Sequence, residues 1–208
     1  MAKTDKFVEI IKASGFVPTV IYDVGCFDAK QAIELYEAFP KATVFAFECD
    51  PAQAEVCQKA VDGTRVRFVS VALSNNTGKA AFFQSAENNR EIGSMLEPIG
   101  NYIQPCRSVR VLVDATRADD LIKSGKAMSP DVIWIDVQGF EINALMGFGE
   151  FLSVAKFVWS EVHYSQFYLG QLLASDFNGE MEKLGFVKCY EVETAENWFG
   201  DSCYKRIG

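Results

Sequence analysis

Thr19-Val20-Ile21-Tyr22-Asp23-Val24-Gly25 is a β-rich run that ends on an acid and a glycine. Apolar and polar residues do not alternate in it, so it reads as a strand buried on both faces, as in parallel sheets. Ala29 to Phe39 follows with Ala32, Leu35, Tyr36 and Phe39 at helical spacing, and Pro40 stops it. Thr43-Val44-Phe45-Ala46-Phe47 is then a second buried strand. Strand, helix and strand in close succession form a right-handed parallel crossover, which leaves few topologies.

Working outward, the N-terminal side holds an amphipathic helix from Thr4 to Ser14. Phe7, Ile10, Ile11 and Ser14 share one face, Thr4 caps it and Gly15 ends it. On the C-terminal side Asp50-Pro51-Ala52-Gln53 is a helix start, since an Asp accepts from first-turn amides and Pro suits the first position. Asp28 is expected to cap the earlier helix. Val66 to Leu73 reads as a third strand, Asn76-Thr77-Gly78 as a turn, and Lys79 to Gln84 as a hairpin arm. Ser85 to Ser108 has no helical or strand period and is expected to be irregular; a long stretch of that kind is often a lid. Val109 to Val113 is a strand, and Thr116-x-x-Asp119 opens a short helix. Strands at Asp131–Val137, Phe157–His163, Val187–Val192 and Ser202–Ile207 remain, with helices at Phe140–Phe148 and between Gln171 and Leu184. The alternation predicts one α/β domain over residues 1–208, a mostly parallel sheet with helices on both faces.

The net charge of −8 repels polyanions, and no basic run offsets it, so a nucleic-acid partner is not expected. Val132-Ile133-Trp134-Ile135 is cut off by Asp136, far short of a membrane span, and no membrane partner is expected. Met-Ala-Lys-Thr-Asp-Lys lacks a following apolar stretch, which reads against a secretory signal. The six cysteines are scattered without a C-x-x-C pair, so reduced thiols and a cytoplasmic location are expected.

In open parallel sheets ligands bind beyond the carboxyl ends of the strands. Asp23, Glu48, Asp136 and Glu161 all fall at such ends. The turn Asp23-Val24-Gly25-Cys26-Phe27-Asp28-Ala29 keeps only the first glycine of G-x-G-x-x-G, and Asp28 sets a negative charge where a pyrophosphate would lie. A nicotinamide-dependent reductase is therefore disfavoured. S-adenosylmethionine carries no phosphate, and its sulfonium suits an acidic crevice. Gly25 admits its methionyl part, and Glu48 is placed to take both ribose hydroxyls.

These residues resemble the FkbM-type methyltransferases. Asp23-Val24-Gly25 with Cys26-Phe27-Asp28 is similar to the first motif of that family, and Phe47-Glu48-Cys49-Asp50-Pro51 to the second. Val71-Ala72-Leu73-Ser74, Gly93-Ser94-Met95-Leu96 and Asp119-Asp120-Leu121-Ile122 continue the series. Ile133-Trp134-Ile135-Asp136-Val137-Gln138-Gly139-Phe140-Glu141 resembles the signature D-V-E-G-x-E, and Ser160-Glu161-Val162 follows. The resemblance implies a class I methyltransferase fold with a seven-stranded sheet. It implies S-adenosylmethionine as cosubstrate, held through Asp23, Gly25, Cys26, Phe27, Glu48, Cys49, Ala72, Ser94 and Asp136. It implies a hydroxyl acceptor on a sugar, glycan or natural product. Ala29 stands for a customary glycine, Gln138 for Glu and Ala118 for Leu. The first two departures motivate a rival expectation, a binding module without turnover.

Methyl transfer to an alcohol needs the acceptor oxygen aligned behind the methyl and its proton removed. His163, the lone histidine, is one candidate base and Asp136 its rival. Glu161 lies two residues before His163 and shares its strand face. The same three side chains offer oxygen and nitrogen donors, but their spacing demands no metal. Tyr164 and Tyr168 are candidate acceptor contacts, and Ser94 a candidate for closing over the cofactor.

Overall fold

The computed structural model describes residues 3–85, 90–99, 108–193 and 198–208. The chain begins with α1 (Lys3–Ala13), followed by β1 (Val20–Val24), α2 (Lys30–Ala38), β2 (Thr43–Phe47) and α3 (Pro51–Ala60). Then come β3 (Arg67–Val69), β4 (Ala72–Leu73), β5 (Gly78–Ser85), β6 (Ser108–Thr116), α4 (Ala118–Lys123), β7 (Val132–Ile135) and α5 (Glu141–Met146). The last elements are β8 (Phe157–His163), α6 (Ala174–Lys183), β9 (Phe186–Glu193) and β10 (Phe199–Arg206). Seven strands form one sheet in the order β3-β2-β1-β7-β8-β10-β9. Strands β1, β2, β3, β7 and β8 pair in parallel, and β10 runs antiparallel to both neighbours. Strand order turns back at β1, between β2 and β7, and that switch opens a crevice beyond the strand ends.

Helices α1, α2 and α3 cover one face of this sheet, where Phe7, Ile11, Ala32, Leu35 and Cys57 pack on Ile21, Trp134 and Trp159. The Trp134 and Trp159 rings stack with centroids 5.3 Å apart, and Phe7 lies 5.8 and 5.5 Å from them. The other face packs Tyr22, Phe45, Ile133 and Val158 against Ala144 and Leu145 of α5 and Phe177 and Met181 of α6. The buried strands β1, β2 and β7 are apolar save Asp23 and the half-buried Thr43, as expected for a parallel sheet covered on both sides.

Four local expectations are corrected. Val66 to Leu73 is not one strand: it breaks after Val69, and β4 joins a second sheet of order β4-β6-β5. The β-branched run could not reveal that break, because both pieces are extended and apolar. Nor does β5 fold back on the preceding strand; it pairs antiparallel with β6, from Gly78↔Ala115 to Ser85↔Ser108. Asp28 is not the cap of α2. That position is Ala29, and the Asp28 carboxylate instead accepts the Lys30 amide at 3.0 Å. Likewise α4 starts from Arg117, and Asp119 is tied up by Arg117 and Lys123.

Of the stretch expected to be irregular, residues 86–89 and 100–107, with Cys106, lie outside the described residues. The intervening part is bonded at both ends. Ser94 and Phe83 exchange backbone hydrogen bonds, the Ile99 amide donates to Phe167, and the Leu169 amide donates to Glu97. The other five cysteines are free thiols. Among the described residues no helix is long and apolar enough to cross a membrane.

Candidate active site

Sheet register places the acidic residues. Ala46, Asp23, Trp134, Trp159 and Cys203 are neighbours across five strands. Side chains repeat on one face every second residue, so the next row on that face is Glu48, Gly25, Asp136, Glu161 and Asp201. Gly25 is the one gap in a row of carboxylates. A Cβ added there would stand 1.9 Å from the Asp136 carbonyl oxygen, and its φ of +82° is left-handed, so glycine is required twice over.

An open crevice lies on this row, with about 590 Å³ of empty space that includes its solvent-facing mouth. Its walls are Gly25 and Phe27 after β1, Glu48, Cys49, Asp50 and Gln53 after β2, and Val71 and Ala72 beside the small sheet. Glu91, Gly93 and Met95 close one side; Asp136, Val137, Gln138 and Phe140 close another. Glu48 is held by two backbone donors: its Oε2 accepts the Phe27 amide at 3.0 Å and its Oε1 the Asp50 amide at 2.7 Å. Burial raises the Glu48 carboxyl above its ordinary value, and those same amides oppose the rise. The carboxylate is fixed in place while each oxygen keeps a lone pair for a ligand.

The remaining expected residues are distributed around this cavity. Asp23 lies one row earlier, fully enclosed beside Ala46 and Trp134, and burial pushes its carboxyl well above the usual range. Cys26 points into the core, with its Sγ 3.7 Å from that of Cys57. Ser94 is buried, donating to the Gln138 carbonyl at 2.8 Å and accepting the Leu96 amide at 3.0 Å. Glu161 and His163 stand behind Asp136, only 6% and 4% exposed, and neither lines the cavity. His163 Nε2 is 3.3 Å from Glu161 Oε2. Tyr168 donates its hydroxyl to the Ile92 carbonyl, and Tyr164 donates to Glu191.

Sequence reading gave no role to Gln138 or Glu141 beyond their places in a motif. Glu141 Oε1 accepts the amides of Val137 and Gly139 at 3.0 and 3.1 Å, so it shapes the turn that presents Asp136 and Gln138. Burial pushes its carboxyl up to about 7. Gln138 donates from Nε2 to Asp136 Oδ1 at 2.8 Å and to Glu161 Oε2 at 2.9 Å. The spacing of a carboxamide two residues from an acid was the only available signal for it.

The profile of the Methyltransferase FkbM domain matches residues 23–188 of the chain. The chain belongs to the FkbM methyltransferase family. Similarity extends to the 2-O-methyltransferase NoeI of Sinorhizobium fredii, 33% identical over 163 residues, covering 74% of this chain and 67% of that protein. The fold is similar to magnesium protoporphyrin IX methyltransferase from Synechocystis, at a TM-score of 0.57 and 14% identity, over 98% of this chain and 78% of that one. It is also similar to a putative O-methyltransferase from Klebsiella pneumoniae, at 0.56 and 10%, over 100% and 82%. This FkbM member is thus an S-adenosylmethionine-dependent methyltransferase with the class I fold.

Two of the three departures from the family pattern occupy left-handed backbone, Ala29 at φ 63° and Gln138 at φ 54°. Glycine is the residue that enters this region freely, which accounts for the customary glycine at 29. An alanine there costs about 1 kcal/mol without closing the cavity, whose walls do not include it.

The His163 imidazole is lowered by burial to about 4. An unfolded chain takes a proton on it below about 6.5, the folded protein only below about 4, so stability falls with pH between those values. On moving from about pH 7.5 to 5 the wild type is expected to lose about 2 kcal/mol more than His163→Gln in urea titrations. Parallel losses would show that the imidazole is not held neutral.

Proposed function

We propose that this FkbM methyltransferase methylates a hydroxyl group, on a sugar, a glycan or a related small natural product, with Asp136 as the base. The observation that carries the reading is the placement of Asp136. Of the four acids of that row, Glu48, Asp136, Glu161 and Asp201, it and Glu48 line the cavity, and they stand on opposite sides of Gly25. Similarity to a 2-O-methyltransferase supports the choice of a hydroxyl acceptor.

The residues fit the cosubstrate: Glu48 would take the ribose hydroxyls, the bare backbone of Gly25 would admit the methionyl part, and Phe27, Cys49 and Ala72 would flank the nucleoside. Bound there, S-adenosylmethionine supplies an electrophilic methyl carbon. Asp136 Oδ1 is engaged by Gln138, while Oδ2 has no protein hydrogen bond among the described residues. Burial raises the Asp136 carboxyl above its ordinary value, and the Gln138 hydrogen bond offsets this in part. A carboxylate with a raised proton affinity is a better base for a hydroxyl that becomes acidic only as it is methylated. His163, shut off behind Glu161, orders that carboxyl and does not meet the acceptor.

Calorimetry tests the cosubstrate half. Glu48→Ala is expected to weaken S-adenosylhomocysteine binding roughly ten- to several-hundredfold, the loss of hydrogen bonds to a charged acceptor. Equal affinity would remove Glu48 from the site. Methyl transfer from tritiated S-adenosylmethionine to free sugars, methyl glycosides and amines tests the acceptor half. Label on hydroxyl compounds is expected; label on amines alone would overturn the reading.

A further inference from the structure

Gln138 stands on the turn between β7 and α5 in left-handed backbone, a conformation that side-chain-bearing residues rarely adopt. Four neighbours hold it there. Its Nε2 bridges Asp136 Oδ1 and Glu161 Oε2, its Oε1 lies 3.2 Å from the Tyr168 hydroxyl and shares that one hydrogen with the Ile92 carbonyl, and its own carbonyl accepts the Ser94 hydroxyl. Both amide hydrogens are thereby committed, one to each acid. Two carboxyl groups brought to one donor would otherwise need a shared proton or a cation between them. A carboxamide is neutral and keeps its donors at every working pH.

We infer that Gln138 is a positioning residue for methyl transfer: its untitratable carboxamide holds Asp136 at the cavity wall and locks the Asp136–Glu161–His163 cluster in one hydrogen-bonding state. The kinetic part of this inference rests on Asp136 as base; the locked state does not. Glu161 is pushed well above the usual carboxylate range by burial, with Asp136 and Glu141 adding to the rise. His163 is held neutral by burial, and its Nε2 stands 3.3 Å from the same Glu161 oxygen that accepts from Gln138. Among the described residues, the other charged or titratable groups facing the cluster are Lys3 of α1, Asp23 of β1, Glu91, Glu141 of α5, Tyr168 and Asp201 of β10. Lys3 is the one cation in that set, and it is paired with Asp201 at 2.7 Å.

The chain has one histidine, so the ring Cε1–H resonance of His163 reports on the cluster without any acceptor. In the wild type that signal is expected to stay flat between about pH 5.5 and 9. Gln138→Glu, equal in size but a donor only when protonated, is expected to introduce a titration step within that window. A flat Gln138→Glu curve, or a step already present in the wild type, would overturn the locked state. Gln138→Leu, which has no donor, is expected to lower kcat roughly ten- to a hundredfold with methyl glycosides as acceptors. Its affinity for S-adenosylhomocysteine should stay within threefold. If Asp136→Asn is impaired and Gln138→Leu is not, this inference alone fails; if Asp136→Asn matches the wild type, the base assignment fails with it.

Discussion

Asp136→Asn is expected to lower kcat by roughly 10²- to 10⁴-fold, the usual contribution of a positioned base, with the Kd for S-adenosylmethionine changed no more than a few-fold. The substitution keeps the shape of the side chain and an oxygen that can accept from Gln138 Nε2, so the turn after β7 has no cause to move. What it removes is the proposed site for the acceptor proton. Steady-state kinetics with calorimetry on the same samples separates two roles. A fall in kcat at constant Kd is the signature of proton transfer. A weakened Kd with kcat preserved at saturation would instead put Asp136 against the methionyl amine.

Gly25→Ala is expected to abolish measurable cosubstrate binding and to lower Tm by roughly 5–15 °C. The added methyl meets the Asp136 carbonyl oxygen at 1.9 Å, and main chain cannot swing away as a flexible side chain would. Left-handed backbone adds about 1–2 kcal/mol, and overpacking a close contact a further 1–3 kcal/mol. At about 2–4 °C per kcal/mol for a chain of this length, the sum gives the stated shift. The loop holding Phe27 to Glu48 begins at this residue, so strand separation here also displaces Glu48, the proposed ribose anchor. Differential scanning fluorimetry with and without S-adenosylhomocysteine reads both effects. A variant with wild-type Tm that is still stabilised by the ligand would refute this view of the row.

The main sheet was legible because its strands are buried on both faces. β2 and β8 begin and end where the apolar β-rich runs do, at Thr43–Phe47 and Phe157–His163. Glu48, Asp136 and Gly25 were legible for the same reason, since position relative to a strand end follows once the strand is bounded. Asp23 and Glu161 look identical to them in sequence. Their enclosure comes from register and from neighbours far along the chain: Trp134 beside Asp23, and Asp201 opposite Glu161. The second sheet was not legible, because β4 and β5 are joined only through β6, more than twenty residues later. Gln138 was visible as an oddity of composition, but its bonds to Asp136, Glu161 and Tyr168 need three chain segments to meet.

A crystal structure of the protein grown with S-adenosylhomocysteine tests the central claim most directly. The nucleoside should fill the crevice beyond β1 and β2, with both ribose hydroxyls on Glu48, the thioether beside Gly25, and Asp136 facing open space where an acceptor would enter. Ligand bound elsewhere, or an empty crevice with Glu48 turned away from its Phe27 and Asp50 amides, would contradict it.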